Sequence, residues 1–376
     1  MGKMDIFNIE EKIKEIDDDN SKEAIQEILI EFNRNHFPNV ISKAKEYRNK
    51  FQNEQLTHLL LIMEATSHAK IGEGSASIEI ITRLYEEQKS PSVDDLILYS
   101  ELAFMNDYKL ARRIMSEAVK LMESNEINIE KIKLARAYLV LGETEENLEK
   151  YIRAIKYYKK ALAHFVESKQ KDLQMIQFLH FKLGVLHSTV NKPEEGENYL
   201  KKAMEIAESQ QDVNVIINCM VSLAKNLGSR GENQEAFAYL KKALPMFEDS
   251  TLKNTMVHAE AYTELAFYYF DQSQLEEAVP NYENAIRIYF KLSHYSARKL
   301  GMIHMQYAYC LEHKKNPEVS KAGNKYEKAI ELLESSNDRE LLENALADVI
   351  SFFAQKNNSK KKRLFENKFV RLTNKM

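Results

Sequence analysis

Histidine and cysteine are the side chains in this sequence best suited to bind a metal or to act as a base or nucleophile. Their spacing along the chain does not match that of a known metal or catalytic site. The 376 residues include 10 His and 2 Cys. His180 and His187 share a helical face, but their separation along the helix is too large for one metal ion. The sequence also lacks the His-Glu-x-x-His pair, the glycine-rich phosphate loops and the Gly-x-Ser-x-Gly elbow. We therefore expect no metal site and no cofactor.

The composition favours long amphipathic helices. With only 10 Gly and 6 Pro, the chain has too few turn residues for a sandwich, barrel or propeller. Charged residues make up 29% of the chain and hydrophobic ones 44%, and there is no Trp. The formal net charge of −4 gives no global basic field, so we expect no direct binding of nucleic acid. The sequence predicts an all-α protein.

Cysteine usage and hydropathy bear on the cellular compartment. Cys219 and Cys310 lie in apolar helical stretches and offer no disulfide framework, which is typical of a reducing cytosol. The sequence after Met1 is acidic and has no secretory hydrophobic region, and no apolar run approaches the ~18 residues of a membrane span. We expect a soluble, cytoplasmic protein that does not contact a membrane.

A pattern of small and large residues repeats along the chain. A small residue is followed four positions later by a large one, and three positions after that by Ala, which places all three on one helical face. Successive copies begin 40 to 44 residues apart. Because each copy is preceded by a second apolar helix and a polar turn, the unit is a helical hairpin that buries its apolar face by stacking on its neighbours. The six copies are Ala111-Met115-Ala118, Ala154-Tyr158-Ala161, Gly196-Leu200-Ala203, Ala236-Leu240-Ala243, Ala278-Tyr282-Ala285 and Ala322-Tyr326-Ala329.

This pattern resembles the tetratricopeptide repeat. The best unit has Tyr262, Leu265-Ala266 and Tyr269 on its first helix, followed by Ala278, Tyr282 and Ala285 on its second. The resemblance implies a right-handed superhelical solenoid of helical hairpins. At about 40–44 residues, the units are longer than the usual period of about 34.

In such a solenoid, residues at fixed positions on the first helix of each hairpin should face the concave surface. The predicted groove combines apolar and aromatic side chains with an amide, an ammonium and a carboxylate, a mixture that suits a short extended peptide. An ordinary solvent-exposed face is the alternative. The predicted groove residues are Phe178, Phe181, Val185, Asn218, Val221, Lys225, Glu260, Thr263, Phe267 and Tyr309.

The segment from Tyr151 to Ala161, together with the repeat length and the helical sequence before the repeats, resembles the Bacillus Rap proteins and related peptide-pheromone receptors. The resemblance implies an N-terminal three-helix bundle that engages a response regulator or transcription factor. It also implies a short re-imported signalling peptide that binds the repeat groove and switches the bundle. Some Rap members dephosphorylate a response-regulator aspartyl phosphate by means of a Gln that orients the attacking water.

Gln55 is the residue that the resemblance offers for such catalysis. It follows Asn53 and Glu54 and precedes a leucine-rich stretch, one position away from the register of the family's Gln. The Phe-Arg pair of the family's signature is absent. We expect a binding protein rather than an enzyme, with aspartyl-phosphate phosphatase as the activity if there is one. Residues 1–70 carry no helix-turn-helix signature, which agrees with the absence of direct DNA binding.

The sequence predicts three segments. Residues 1–72 form an N-terminal helical bundle, either an effector region or degenerate repeats; residues 73–340 form the solenoid; residues 341–376 form a capping helix and a basic tail helix. The amphipathic end helix would allow a homodimer. Two functions stay open at this point: a peptide-regulated, quorum-sensing receptor of the Rap type, and a constitutive repeat scaffold for protein–protein interaction without a peptide switch.

Overall fold

The computed structural model describes residues 19–88, 90–124, 131–169, 171–292 and 294–374. These residues form helices joined by short turns, and the described part of the chain contains no β-strand. The predicted all-α fold is therefore confirmed. Contacts within the chain divide it into two units, one ending at Val190 and the other beginning at Asn191. The three segments predicted from the sequence stay a prediction.

Unit 1 contains nine of the described helices. They are α1 (Asp19–Asn33), α2 (Phe37–Lys50), α3 (Glu54–Lys70), α4 (Gly74–Glu87), α5 (Val93–Phe104), α6 (Tyr108–Ser124), α7 (Lys131–Asn147), α8 (Tyr151–Glu167) and α9 (Leu173–Thr189). The pairs α5–α6 and α7–α8 form antiparallel hairpins, and α9 packs on α8.

Unit 2 contains the other nine. They are α10 (Pro193–Gln210), α11 (Val213–Ser229), α12 (Asn233–Met246), α13 (Met256–Asp271), α14 (Leu275–Tyr289), α15 (Ala297–His313), α16 (Val319–Glu334), α17 (Arg339–Gln355) and α18 (Ser359–Thr373). The pairs α11–α12, α13–α14, α15–α16 and α17–α18 form hairpins. Helices α11, α13 and α15 of unit 2, together with α9 in unit 1, carry the residues predicted to face the groove.

Helix α3 is the centre of the N-terminal part of unit 1. It packs against both α2 and α4, so that nearly every side chain from Leu59 to His68 is buried. Because the helix is covered on both sides, its polar residues in this stretch are buried too, and Glu64 is paired with Arg48 of α2 at 2.6 Å. The core that it forms with α1 and α2 consists of Ile25, Ile28, Val40, Ala44, Leu56, Leu59, Leu60 and Met63.

The repeated small and large residues pack as the spacing predicts. Tyr158 and Tyr282 are fully buried, and the flanking Ala residues are also buried. Gly142 shows why a small residue is needed on the facing helix, since a Cβ there would lie 2.4 Å from the ring of Tyr158. The hairpins therefore pack through close approach of helix backbones around a large side chain.

Side-chain caps fix where the first helices begin. Ser92 forms a capping box with Asp95 at the start of α5. The same role is played by Asn53 at α3, Asp172 at α9, Asp212 at α11, Ser296 at α15 and Asp338 at α17, each of which accepts a backbone N–H. These caps fix where α9, α11, α15 and α17 begin, whereas α13 begins after Thr255 without a side-chain cap.

Candidate functional site

In unit 1, the predicted groove residues on α9 form a half-buried apolar surface. Phe178, Phe181 and Val185 are all partly exposed. The ammonium of Lys182 lies 5.8 Å from the centre of the Phe178 ring and 2.7 Å from Oε1 of Glu146. The surface thus places aromatic rings beside an ion pair, where an apolar side chain could bind.

In unit 2, an ion-pair ladder links three successive first helices. Glu260 on α13 accepts from Lys225 on α11 at 3.1 Å and from Lys299 on α15 at 3.0 Å. Burial acts to raise the pKa of Glu260, but the two ammonium groups outweigh it and hold that pKa below its ordinary value. The ladder therefore keeps a carboxylate ionised on the predicted groove surface.

The remaining predicted residues of α11 and α13 divide into accessible and buried ones. Asn218 and Phe267 are partly exposed, and the Phe267 ring meets the ring of Tyr282 edge to face at 6.1 Å. Val221 and Thr263 are 1% and 0% exposed, so neither side chain is available to a ligand. Helix packing explains the burial of Val221, which belongs to the core that α11 forms with α12 and α13. The Thr263 hydroxyl donates to the Ala259 carbonyl of the same helix at 2.8 Å.

Tyr309 on α15 is a predicted groove residue that borders a cavity. It is 44% exposed and lines a cavity of about 360 Å³ bordered by the first helices α13, α15 and α17. Its ring packs edge to face against Phe270 at 5.6 Å and stacks on His313 at 4.1 Å. The full lining is Phe270, Met305, Gln306, Tyr309, Glu312, His313, Tyr326, Asp348, Ser351, Phe352 and Gln355.

The polar groups of this cavity are mostly neutral amides and hydroxyls. Gln306 accepts a long hydrogen bond from the Tyr282 hydroxyl at 3.3 Å, and Gln355 donates to the Ser351 hydroxyl at 3.4 Å. Both distances are at the weak end of hydrogen-bond geometry. Desolvation raises the pKa of the Asp348 carboxyl. Aromatic walls with weakly engaged amides can bind an extended peptide through its side chains and its backbone.

Gln55, the candidate catalytic residue, lies in the first turn of α3 and is exposed. It lines a cleft of about 530 Å³ between α3, α4 and α5 in unit 1. Three carboxylates, those of Glu54, Glu87 and Asp95, line the same cleft.

A hydrogen-bond chain occupies one wall of this cleft. The Tyr99 hydroxyl donates to Oε1 of Gln88 at 2.8 Å, and Gln88 donates through Nε2 to Asp95 at 3.2 Å. Nε2 of His58 lies 2.5 Å from the same hydroxyl. Since that hydroxyl already donates to Gln88, His58 must donate to it, which fixes the proton on Nε2. These groups hold α3, α4 and α5 together.

Sequence reasoning missed one wall of the Tyr309 cavity. Asp348, Ser351, Phe352 and Gln355 lie on α17, which was interpreted as a cap whose role is to cover the last repeat. One signal could have found them: a further repeat period of about 43 residues from Tyr309 reaches Phe352. In the structure α18 packs on α17, so the two helices form a further hairpin. In that hairpin α17 is the first helix.

The histidine pair that shares a helical face lies on α9. His187 is buried and His180 is half-buried on α9. Throughout the residues that the structure describes, no group of three His, Cys, Asp or Glu side chains is arranged to hold a metal ion. None of the helices described here is long and apolar enough to cross a bilayer.

Comparison with known proteins identifies the repeats. Models of the tetratricopeptide repeat match residues 135–163, 216–249 and 258–292. Response regulator aspartate phosphatase E of Bacillus subtilis (strain 168) is 26% identical over 227 residues, which cover 58% of this chain and 59% of that protein. The chain thus spans less than two thirds of the length of this curated relative.

Solved structures share the fold. The apo form of RapI superimposes with a TM-score of 0.62 at 14% identity, covering 95% of this chain and 98% of that one. Aspartyl phosphate phosphatase F from Bacillus subtilis gives a TM-score of 0.53 at 15% identity, covering 95% of each chain. The chain therefore contains tetratricopeptide repeats at the matched residues and resembles the Rap proteins.

Proposed function

We propose that this protein is a cytoplasmic, peptide-regulated signalling receptor of the Rap type. A short extended signalling peptide that reports population density binds the first-helix face of unit 2. Helices α1–α3 bind a response regulator or a transcription factor, and binding of the peptide changes the affinity for that partner. The observation that carries the proposal is the aromatic cavity around Tyr309, in a chain that is 26% identical to a response regulator aspartate phosphatase.

The chemistry of the first-helix face supports a peptide as the ligand. Phe267 and Tyr309 offer apolar contact area, while Asn218, Lys225 and Glu260 offer groups that can bond to a peptide backbone. Phe178, Phe181 and Val185 are proposed as contacts of the same type on α9 of unit 1. An extended peptide needs this alternation of apolar and polar contacts because its backbone groups must be satisfied wherever water is excluded.

The separate core of α1–α3 supports an effector role for the N-terminal part. Its buried residues form their own cluster, so its outer surface can serve a partner without disturbing the repeats. Ile30 on α1 is 51% exposed and offers one apolar contact on that surface. A small exposed apolar site within a polar surface is a common feature of protein–protein interfaces.

We propose that the protein binds its partner and does not hydrolyse an aspartyl phosphate on it. Gln55 would have to orient water against an aspartyl phosphate, but the carboxylates of Glu54, Glu87 and Asp95 line the same cleft. Their negative potential disfavours the approach of a phosphoryl group. If the protein does dephosphorylate a response regulator, Gln55→Ala should abolish the release of phosphate and leave capture of the regulator intact.

A selection experiment tests the receptor proposal. A randomised library of short peptides is selected on the full chain, and capture of a panel of response regulators is then measured with and without each selected peptide. We expect at least one peptide to change capture of one regulator about tenfold or more. Tyr309→Ala should lose the peptide, whereas Tyr295→Ala, which removes a similarly exposed ring elsewhere in unit 2, should keep it. Peptides that bind without altering any capture would favour the constitutive scaffold instead.

A further inference from the structure

Charge is distributed unevenly between the C-terminal segment and the rest of the chain. The segment from Lys356 to Met376 contains eight basic residues and a single acidic one, Glu366. Since the net charge of the whole chain is −4, the residues before Lys356 carry a net charge of −11. The basic segment of one copy is therefore attracted to the acidic remainder of another copy.

One side of α18 uses its basic residues for contacts within unit 2. Phe365 is 3% exposed and packs on α17. Lys368 pairs with Glu334 of α16 at 2.8 Å, and Lys361 pairs with Glu327 of the same helix. These contacts attach α18 to α16 and α17 through one of its sides.

The opposite side of α18 is an exposed stripe of basic and aliphatic residues, which we call the basic face. Its members recur every three or four positions, so they lie on one side of the helix. Leu364 and Val370 are each 51% exposed, and the three cations of this face make no ion pair within the described part of the chain. Aliphatic side chains flanked by such cations suit an acidic, partly apolar helix. The basic face consists of Lys360, Arg363, Leu364, Asn367, Val370 and Arg371.

Helix α1 presents a surface of the complementary kind, which we call the acidic face. Ile30 on this face is 51% exposed. Glu27 is already bonded to Lys43 and Tyr47 of α2, whereas Glu23 makes no ion pair with any residue that the structure describes. The acidic face consists of Asp19, Glu23, Gln26, Glu27 and Ile30.

The two faces match in register as well as in charge. In an antiparallel helix pair, a step forward along one helix corresponds to an equal step backward along the other. With Leu364 against Ile30, a step of seven residues brings Arg371 opposite Glu23. Pairing of two basic faces would instead place cation against cation, which disfavours the homodimer that the end helix alone would form.

We propose that the basic face of α18 binds the acidic face of α1 on a second copy of this chain. The two helices pack antiparallel, with Leu364 on Ile30 and Arg371 on Glu23. Because the two faces differ, copies join head to tail, so that two copies close on each other or further copies add. One helix pair buries less than the about 1,200 Å² at which standard interfaces begin, so we expect a weak, salt-sensitive association in the micromolar range.

This self-association goes beyond the proposed receptor function and does not depend on it. It does cover Ile30, which that function assigns to the contact with a partner protein. A chain in the head-to-tail contact therefore has less of its α1 surface available to a partner than a monomer has.

Charge reversal on the two faces tests the assignment. Sedimentation velocity of the full chain is measured over a range of concentrations at low and at high salt. Arg371→Glu and Glu23→Lys should each weaken self-association about tenfold or more, because each places like charges opposite one another. A chain that carries both changes should recover the association, and so should an equal mixture of the two single variants. Lys242→Glu makes the same charge change at an exposed position on α12 and should associate as the wild type does.

The aliphatic contact is tested in the same way. Leu364→Ser should weaken self-association several-fold, whereas Val319→Ser, which truncates a 39% exposed side chain on α16, should not. Far-ultraviolet circular dichroism and thermal unfolding establish that each variant is folded.

Three outcomes would overturn the inference. The first is a wild-type chain that stays monomeric at high concentration and low salt, and the second is an association that both single charge reversals leave unchanged. The third is an association that Arg371→Glu strengthens, which would assign the contact to two basic faces. None of these measurements uses a signalling peptide or a partner protein, so failure here leaves the receptor proposal untouched.

Discussion

The cleft beside Gln55 and the cavity around Tyr309 contain similar residue types and differ in how those residues are used. Both combine side-chain amides, carboxylates and a histidine. Beside the cleft, Tyr99 and Gln88 are joined in one hydrogen-bond chain that ends on Asp95, the residue that completes the capping box of Ser92 at the start of α5. In the cavity, the amide contacts are long and Asp348 makes none among the described residues. A polar group without a protein partner can bind a ligand at lower cost, because an engaged group must first exchange a bond that it already makes.

The largest expected difference between the two sites is the unfolding free energy that is lost when an apolar residue of the wall is truncated to Ala. Leu59 lines the cleft but is 3% exposed and belongs to the core of α1–α3, so Leu59→Ala should cost about 2–5 kcal/mol in the free energy of unfolding. Met305 lines the cavity and is only partly buried, so Met305→Ala should cost about 1 kcal/mol. Denaturant unfolding of the full chain measures both. Equal losses would mean that the cavity wall is as much a part of the core as the cleft wall.

The hydroxyl groups of the two sites provide the next contrast. Tyr99→Phe removes the donor to Gln88 and the acceptor of His58 inside a fully buried environment, and it should destabilise the protein by about 1–3 kcal/mol. Tyr309→Phe removes a hydroxyl from a half-exposed ring and should change stability by less than about 0.5 kcal/mol. Differential scanning calorimetry gives the two melting temperatures. A Tyr99→Phe variant that melts with the wild type would show that the chain of hydrogen bonds does not hold the cleft together.

The sequence predicted the packing positions better than the groove positions, and there is a physical reason. The triads such as Ala154-Tyr158-Ala161 depend on contacts within one hairpin, which the helical period specifies. The exposure of a groove residue also depends on which neighbouring helix covers it, and that information is not local. Thr263 was therefore placed on the surface although its side chain on α13 is 0% exposed.

The residues of α17 that line the Tyr309 cavity were missed for the same reason. The apolar pattern of α17 is compatible with a terminal cap and with a further first helix, and the difference lies in whether α18 covers it. Phe365 of α18 is 3% exposed and stacks on Phe353 of α17 at 5.6 Å, so α18 provides the covering layer. Only the tertiary contact shows that Asp348 and Phe352 face a cavity with Tyr309.

The smallest expected effect concerns the unengaged carboxylate of Asp348. Desolvation raises its pKa in the folded protein, so at neutral pH its charged form opposes folding slightly, and Asp348→Asn should raise the melting temperature by at most about 2 °C. As the pH falls through the raised folded pKa, the wild type takes up a proton that favours the folded state. The advantage of the variant should therefore shrink with falling pH and vanish below the ordinary pKa of an aspartate, about 3.9. Calorimetry at several pH values, with Asp249→Asn as the control, measures this. A variant that is less stable than the wild type at neutral pH would show that Asp348 is engaged in folding, and the contrast with the cleft would then fail at its central residue.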